Sequence, residues 1–407
     1  MRQCVRVIVF NGDEEYASTI RSDLLRVPGV QIVAEVDELG LIQQAVSQFP
    51  AEVLVVHLDP APDVVLPVAA EVARSRPDLA VLVISESTDG QHILTAMRAG
   101  VREFITKPVE PNMLAEAVGK VVQQASTTVQ VGSLISVIGT IGGCGASSLA
   151  VNLAMELNEI CKKHNTDSGT RNVALVDLDF RYGQLGTMLD LQADYTIADL
   201  AETPEQLDPA VIDKAMVKHS SGLHLLARPN QFSQADQITA AHCSAVLNSL
   251  QRMYEYVVVD GPNRFDPGGS AVLDLADTNL LVIQLLVTSV RNVHRMLEEL
   301  REGGYNLNRF KLICNRVGRE SSHLGIEHVE KTLNMKVMHE IPDDWKSMSA
   351  AINMGVPLIE SAPKSRLRQA MQELAQKIAE PEAAQSAGAN QNKSGGLLGR
   401  IFSHAGA

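Results

Sequence analysis

The sequence holds little that crosslinks, nothing long enough to span a bilayer and no excess of positive charge. Its five cysteines (Cys4, Cys144, Cys161, Cys243, Cys314) are scattered over 407 residues without a CxxC pair. That spacing excludes a disulfide framework and a thiolate zinc site and fits a reducing compartment, where each thiol serves as a small buried hydrophobe. No apolar run reaches membrane-spanning length, and the opening MRQCVRVIVFNGDEE meets acid too early for a secretory leader. The expected location is the cytoplasm. A net charge of -13 argues against a broad surface that tracks phosphates, so nucleic acid is not an expected partner.

What is present is core material. Hydrophobic residues make up 45% and charged ones 20% of a length that suits two to three domains, and two is the working count. Short β-branched runs alternate with amphipathic stretches at the start, predicting strands over 5–10, 30–34, 53–58, 79–85 and 103–106, with helices over 15–26 and 92–98. Strands this continuously apolar are covered on both faces, which favours parallel pairing. Polar residues 123–132 (QQASTTVQVG) read as a linker that offers little to pack. A second α/β pattern begins at Leu134, where LISVIG runs into a glycine-rich turn and a helix over 147–160. Strands follow over 173–176, 223–226, 256–259, 280–283, 310–314 and 337–341. The expected division is 1–122, a linker 123–132, 133–380, and a flexible tail 381–407 closing in GGLLGRIFSHAGA.

Three motifs carry chemistry. The segment Thr140-Ile141-Gly142-Gly143-Cys144-Gly145-Ala146-Ser147-Ser148 joins a strand to a helix. Residues without Cβ let backbone N–H groups converge on phosphate oxygens, and the following helix adds the positive end of its dipole. The standard phosphate-loop pattern is broken, with Thr140 in place of its first glycine and Ala146 in place of its lysine, and a tight turn without ligand accounts for the same glycines. ALVDLDFRYGQLG places Asp177 and Asp179 at one strand end, and YEYVVVDGP places Asp260 at another. Helix caps or solvated strand ends are the plainer reading of these acids.

In order and spacing these motifs resemble the MinD/ParA family of deviant Walker ATPases, whose loop reads KGGxGK[ST][ST]. LICNRVG supplies the matching Asn315 and Arg316, and the resemblance covers residues 134–379 or so. It implies a three-layer α/β/α fold, ATP and Mg²⁺ as cofactors, and a homodimer. Gly142, Gly143, Cys144, Gly145, Ala146, Ser147 and Ser148 would hold phosphates. Ser147, Asp177 and Asp260 would hold the metal, Asp179 would orient the attacking water, and Asn315 with Arg316 would meet the adenine. Both family lysines are gone, replaced by Ile141 and Ala146. Without that preorganised charge, hydrolysis is expected to be weak or lost unless Arg181, Arg264 or a partner supplies a cation.

The first domain, through ILTAMRAGVREFITKPVEPNMLAEAV, resembles bacterial receiver domains and implies a five-stranded, flavodoxin-like, doubly wound fold. Lys107, Pro108 and Ser85 match that family's pattern, but His57 takes the phospho-acceptor position and Asp59 falls two residues on. The metal-binding acidic pair is replaced by Asn11 and Gly12, with Asp13 and Glu14 displaced. The implied role is a docking or dimerisation module rather than a phosphorylated switch. DLDFRYG, LDLADTNLLVIQLLVTSVRNVHRMLEEL and PDDWKSMSAAINMGVPLIESAPKS look most like the CpaE/TadZ proteins of Flp (Tad) pilus assembly, which join such a receiver to such an ATPase domain and often carry Ala for the loop lysine. The resemblance implies a secretion ATPase and membrane components of the pilus as partners and the cell pole as the place, and the apolar end of the tail is a candidate for a weak membrane contact. An active MinD-like switch for division or polar machinery, and a receiver-type regulator of gene expression, are the alternatives.

Overall fold

The computed structural model describes residues 2–380, apart from 4, 28–29, 50, 77–78, 110, 125–129, 165–170, 202–206, 262–268, 270–271, 274, 304 and 319–323. Cys4, Arg264 and the tail 381–407 therefore lie outside the described residues. After a short strand β1 (Arg2–Gln3) come β2 (Val5–Phe10), β3 (Val30–Val36), β4 (Val53–His57), β5 (Ala80–Ser85) and β6 (Glu103–Thr106). The last five form one parallel sheet in the order β3-β2-β4-β5-β6, the doubly wound order with its switch point beside β2. Alternate side chains of each strand feed opposite faces. Val5, Val7, Val9, Val53 and Val55 meet the helices Glu14–Arg26 and Pro111–Gln124. Ile8, Phe10, Leu54 and Val56 meet Ile42–Gln48 and Pro62–Ser75. This is why the strands read as unbroken apolar runs.

The second sheet contains β8 (Ser133–Gly139), β9 (Arg171–Asp177), β10 (Met216–Lys218), β11 (His224–Leu226), β12 (Tyr254–Asp260), β13 (Thr278–Ile283), β14 (Phe310–Val317) and β15 (Val337–Pro342). Its order is β10-β11-β9-β12-β8-β13-β14-β15, parallel except for the edge strand β10. Ile135, Val137, Leu175 and Val258 pack under the helices Ala146–His164 and Arg366–Ala379. Those two helices are tied by Arg368 Nε donating to Glu156 Oε1 at 2.8 Å. Leu134, Val176, Val257 and Val259 face the other way, against Ala240–Met253, and Leu281, Ile283 and Leu312 against Val287–Glu302. Each fully buried Leu or Ile contributes about 1.5–3 kcal/mol, so the two faces together carry most of the stability. Because β8 sits between β12 and β13, the chain leaves it in one direction for β9 and later returns on the other side. Ligands of open α/β sheets settle at such a point, beyond the carboxyl ends of the strands.

Within the stretch 123–132, the described residues 123–124 and 130–132 are built into the fold. Gln123 and Gln124 complete a helix, and β7 (Gln130–Val131) pairs with β1. Gly132 donates to Gln251 O at 2.6 Å, and a Cβ on it would lie 1.9 Å from Tyr254 O. Backbone pairing needs no apolar side chain, so composition concealed it. The helix Glu14–Arg26 also touches the second unit, through Asn306 Nδ2 to Leu25 O at 2.8 Å and the Arg21 guanidinium 4.2 Å from the Tyr305 ring. Cys144, Cys161, Cys243 and Cys314 are free and buried. No helix among the described residues is long and apolar enough to cross a membrane.

Candidate nucleotide site

The glycine loop follows the central strand β8. Thr140 anchors its start, with Oγ1 donating to Val282 O at 2.9 Å and lying 2.7 Å from Ser289 Oγ. The loop then turns through Gly143 and Gly145, both in the left-handed region (φ 74° and 95°) that side chains disfavour. At Gly145 a Cβ would also lie 2.4 Å from Asn315 Nδ2. Leu149 N bonds Gly145 O at 2.9 Å, so the helix starts directly behind the loop, with Ala146, Ser147 and Ser148 in its first turn. Four N–H groups of such a turn lack helical partners, which makes it a receptor for an anion.

Beside the loop, β9 and β12 end in register, Asp177 opposite Asp260. Both are buried, at 2% and 3% exposure. Asp177 accepts from Asp179 N and Leu185 N, each at 3.2 Å, under a Gly183 backbone so close that a Cβ would lie 2.0 Å from Asp177 Oδ1. Burial, then repulsion from Asp260, pushes its carboxyl up to about 8. Burial likewise pushes Asp260 up to about 7, against the lowering effect of a hydrogen bond from the Ser147 hydroxyl. Asp260 Oδ2 is buried with no hydrogen-bond partner. An unsatisfied oxygen on one of two adjacent buried carboxylates, with a hydroxyl alongside, is an arrangement that a hard divalent cation completes. Among the described residues no group of three or more His, Cys, Asp or Glu could cage a metal. Mg²⁺ keeps waters and phosphate oxygens and takes only one or two carboxylates.

The remaining candidates divide. Asp179 is half-buried, and its Oδ1 accepts from Tyr182 N at 3.1 Å. Arg181 is ion-paired with Asp236. Asn315 Nδ2 donates to Cys144 O at 2.7 Å and its Oδ1 accepts from Arg316 N at 2.9 Å. Arg316 has φ 56° and places its guanidinium 5.7 Å from the Trp345 ring. These residues, with Gly145 and Ser148, line a small pocket against the loop. Arg228 escaped the sequence reading because LLARPN matches no motif. It donates to Gly183 O at 2.6 Å and lowers the Asp177 carboxyl, opposing the burial. Beyond β9, β11, β13 and β15 the chain exposes large apolar side chains, Tyr182 in a turn and Phe232, Val287 and Trp345 at the first positions of helices, along the same edge as the glycine loop.

In the first sheet β4 ends at His57, and the ion pair to Lys107 forms on Asp59, two residues on. Leu58 N still bonds Ile84 O at 2.9 Å, so the chain follows β5 beyond the end of β4 and carries Asp59 over Ser85. Asp59 accepts from Ser85 Oγ at 3.0 Å and Glu86 N at 2.8 Å, and Lys107 Nζ lies 3.1 Å away. His57 is buried beneath, its Nδ1 2.6 Å from Asn11 Oδ1 and its Nε2 3.2 Å from Asp59 Oδ2. The displaced Asp13 caps the helix Glu14–Arg26, accepting from Glu15 N at 3.0 Å.

No protein-family model matches the chain. An uncharacterised ATP-binding protein of Methanocaldococcus jannaschii is 25% identical over 246 residues, 60% of this chain and 88% of that protein. A ParA family ATPase from Chlorobium tepidum superposes with TM-score 0.56 at 23% identity, over 61% of this chain and 99% of its own. Septum site-determining protein MinD from Pyrococcus horikoshii, solved with Mg-ADP, superposes with TM-score 0.52 at 19% identity, over 61% and 97%. The second unit thus has the fold of the MinD/ParA ATPases.

Proposed function

We propose that this chain binds Mg²⁺-ATP at the glycine loop and acts as a MinD-like, homodimeric scaffold in the assembly and localisation of a Flp (Tad) pilus machine, with slow intrinsic hydrolysis. The observation that carries the nucleotide reading is the partnerless Oδ2 of Asp260, buried beside Asp177, next to a loop that turns through left-handed Gly143 and Gly145. Ser147, Asp177 and Asp260 would hold the metal, which would supply positive charge that the loop lacks. The loop's N–H groups bind phosphate oxygens, Asn315 and Arg316 face the base, and Asp179 orients water. The names of the relatives, one ATP-binding and one solved with Mg-ADP, support the same cofactors.

Slow hydrolysis follows from the loop's chemistry. Ile141 and Ala146 are neutral, and Arg181 is committed to Asp236. A missing cation at developing phosphoryl charge typically costs a factor of about 10³–10⁵ in rate. Tyr182, Phe232, Val287 and Trp345 offer an apolar surface that a second copy could cover, which supports the homodimer. The pilus assignment, with a secretion ATPase and membrane components as partners, rests on the resemblance of DLDFRYG and PDDWKSMSAAINMGVPLIESAPKS to CpaE/TadZ proteins. The test is calorimetric titration of Mg²⁺-ATP into the full chain alongside phosphate release, with Asp260→Ala as control. Binding that the control abolishes, with negligible release, supports the scaffold. Fast release favours an active switch for division or polar machinery, and no binding in the wild type overturns the nucleotide reading.

A further inference from the structure

Three carbonyls of the glycine loop are each taken by a side-chain amide from elsewhere in the fold. Asn292 Nδ2 donates to Thr140 O at 2.8 Å, Gln284 Nε2 to Gly143 O at 3.2 Å and Asn315 Nδ2 to Cys144 O at 2.7 Å. The donors sit just after β13, in the second turn of the helix Val287–Glu302, and in β14. Within one trans peptide the C=O and N–H point in opposite directions. Fixing the carbonyls of Thr140, Gly143 and Cys144 therefore turns the N–H groups of Ile141, Cys144 and Gly145 away from the donors. Cys144 N keeps only a long bond, 3.3 Å, to Ile141 O. Left unpinned, the same peptides could rotate and present carbonyl oxygens to a phosphate, which would repel it.

The helix end that supplies Asn292 is itself fixed. Ser289, buried at 0% exposure, accepts from Gln284 N at 3.2 Å and lies 2.7 Å from the Thr140 hydroxyl. Gln284, Ser289 and Asn292 thus form one frame around the loop's entrance, with Asn315 closing its far side. A site without lysine gains little from charge and depends on donors already in place, because an ordered loop does not lose that freedom on binding.

We propose that Gln284, Asn292 and Asn315 are positioning residues that hold the loop in its phosphate-binding shape before ligand arrives, compensating in affinity for the lysines missing at Ile141 and Ala146. This rests on the nucleotide reading above. Asn315 has a second amide hydrogen, so it can link the loop to the base-side pocket, whereas Gln284 and Asn292 concern the phosphates alone. The experiment measures binding of Mg²⁺-ATP and Mg²⁺-pyrophosphate to the full chain, with melting temperature and amide exchange of the free protein. Asn292→Asp, equal in size but unable to donate, and Gln284→Ala should each weaken both ligands about 10-fold. Exchange at Ile141 and Gly145 should speed up, and Asn292→Ser, a shorter donor, should recover part of the affinity. If Asn292→Asp proves too unstable to purify, Gln284→Ala decides. Wild-type affinity for both ligands in the variants, with the wild type binding normally, overturns the positioning role alone. Failure of the wild type to bind either ligand overturns the nucleotide reading and the inference with it.

Discussion

The two sheets end in acids that have met opposite fates. In the first, burial alone would raise the Asp59 carboxyl, but the Glu86 N–H, the Lys107 ammonium and the Ser85 hydroxyl outweigh it and hold the group below its usual range. In the second, burial raises Asp177 and Asp260, with repulsion from Asp260 adding at Asp177 and from Asp179 at Asp260, and one oxygen of Asp260 has no partner. Both centres occupy the same place in a parallel sheet, where strand ends and helix starts meet. The difference is a lysine: the first centre carries its own cation in Lys107, while the loop beside the second, residues 140–148, contains none. The Asp59 oxygens are met from within the fold, whereas one oxygen of Asp260 is not.

The sharpest way to break this contrast is to give the second centre the cation it lacks. Ala146→Lys should raise phosphate release about 100-fold or more, by restoring charge where it develops in the transition state. An unchanged rate in a single-turnover assay would mean that the missing lysine does not limit hydrolysis. The reverse experiment opens the first centre. Lys107→Ala leaves Asp59 buried with its counter-charge gone and should cost about 3 kcal/mol in denaturant unfolding, while the Asp59→Ala, Lys107→Ala double variant recovers part of it. Nucleotide affinity should stay put in both, since the loop is untouched. A smaller loss, about 1–2 kcal/mol, is expected from Gly145→Ala, which forces a side chain into the left-handed region and against Asn315. Equal stability by thermal unfolding would show that the loop relaxes freely.

The smallest effect is electrostatic. Asp177 and Asp260 have folded pKa values raised from 3.8 to about 8 and about 7, so the folded state binds more protons than the unfolded chain between pH 4 and 8. Their contribution is fully present below the unfolded value and is lost as pH rises through the folded ones. The metal-free melting temperature should therefore fall by a few degrees from pH 5 to 8 on this account, and Asp260→Asn should flatten the decline. A profile that Asp260→Asn leaves unaltered would remove Asp260 from the account.

Much of the fold was legible because both sheets are covered on two faces. Val53 to Val56 and Val257 to Val259 are apolar at every position, and such runs announce buried parallel strands. The glycine loop, Asp177 and Asp260 were legible for a related reason, since a strand that ends in an acid and a strand that ends in glycines stand out against apolar neighbours. Arg228 and the amides of Gln284 and Asn292 carried no such signal. Asn292 acts on a carbonyl 152 residues away in the chain, and an Asn in a helix looks the same whether it faces water or a loop. The polar contacts of Asp59 were not legible, because spacing counts residues and cannot see that the chain keeps following β5 after Leu58.

By itself the sequence determined the layers, the order of the motifs and the absence of lysine from the loop, all properties of local pattern and residue type. Only the tertiary structure decided which acid has a partner, which carbonyls are pinned and that β7 clasps β1, because each depends on groups far apart in the chain arriving within hydrogen-bond distance. Burial then gives those meetings their weight. A carboxylate that water would have satisfied anywhere along an open chain becomes, at the ends of β9 and β12, a demand that something else must meet.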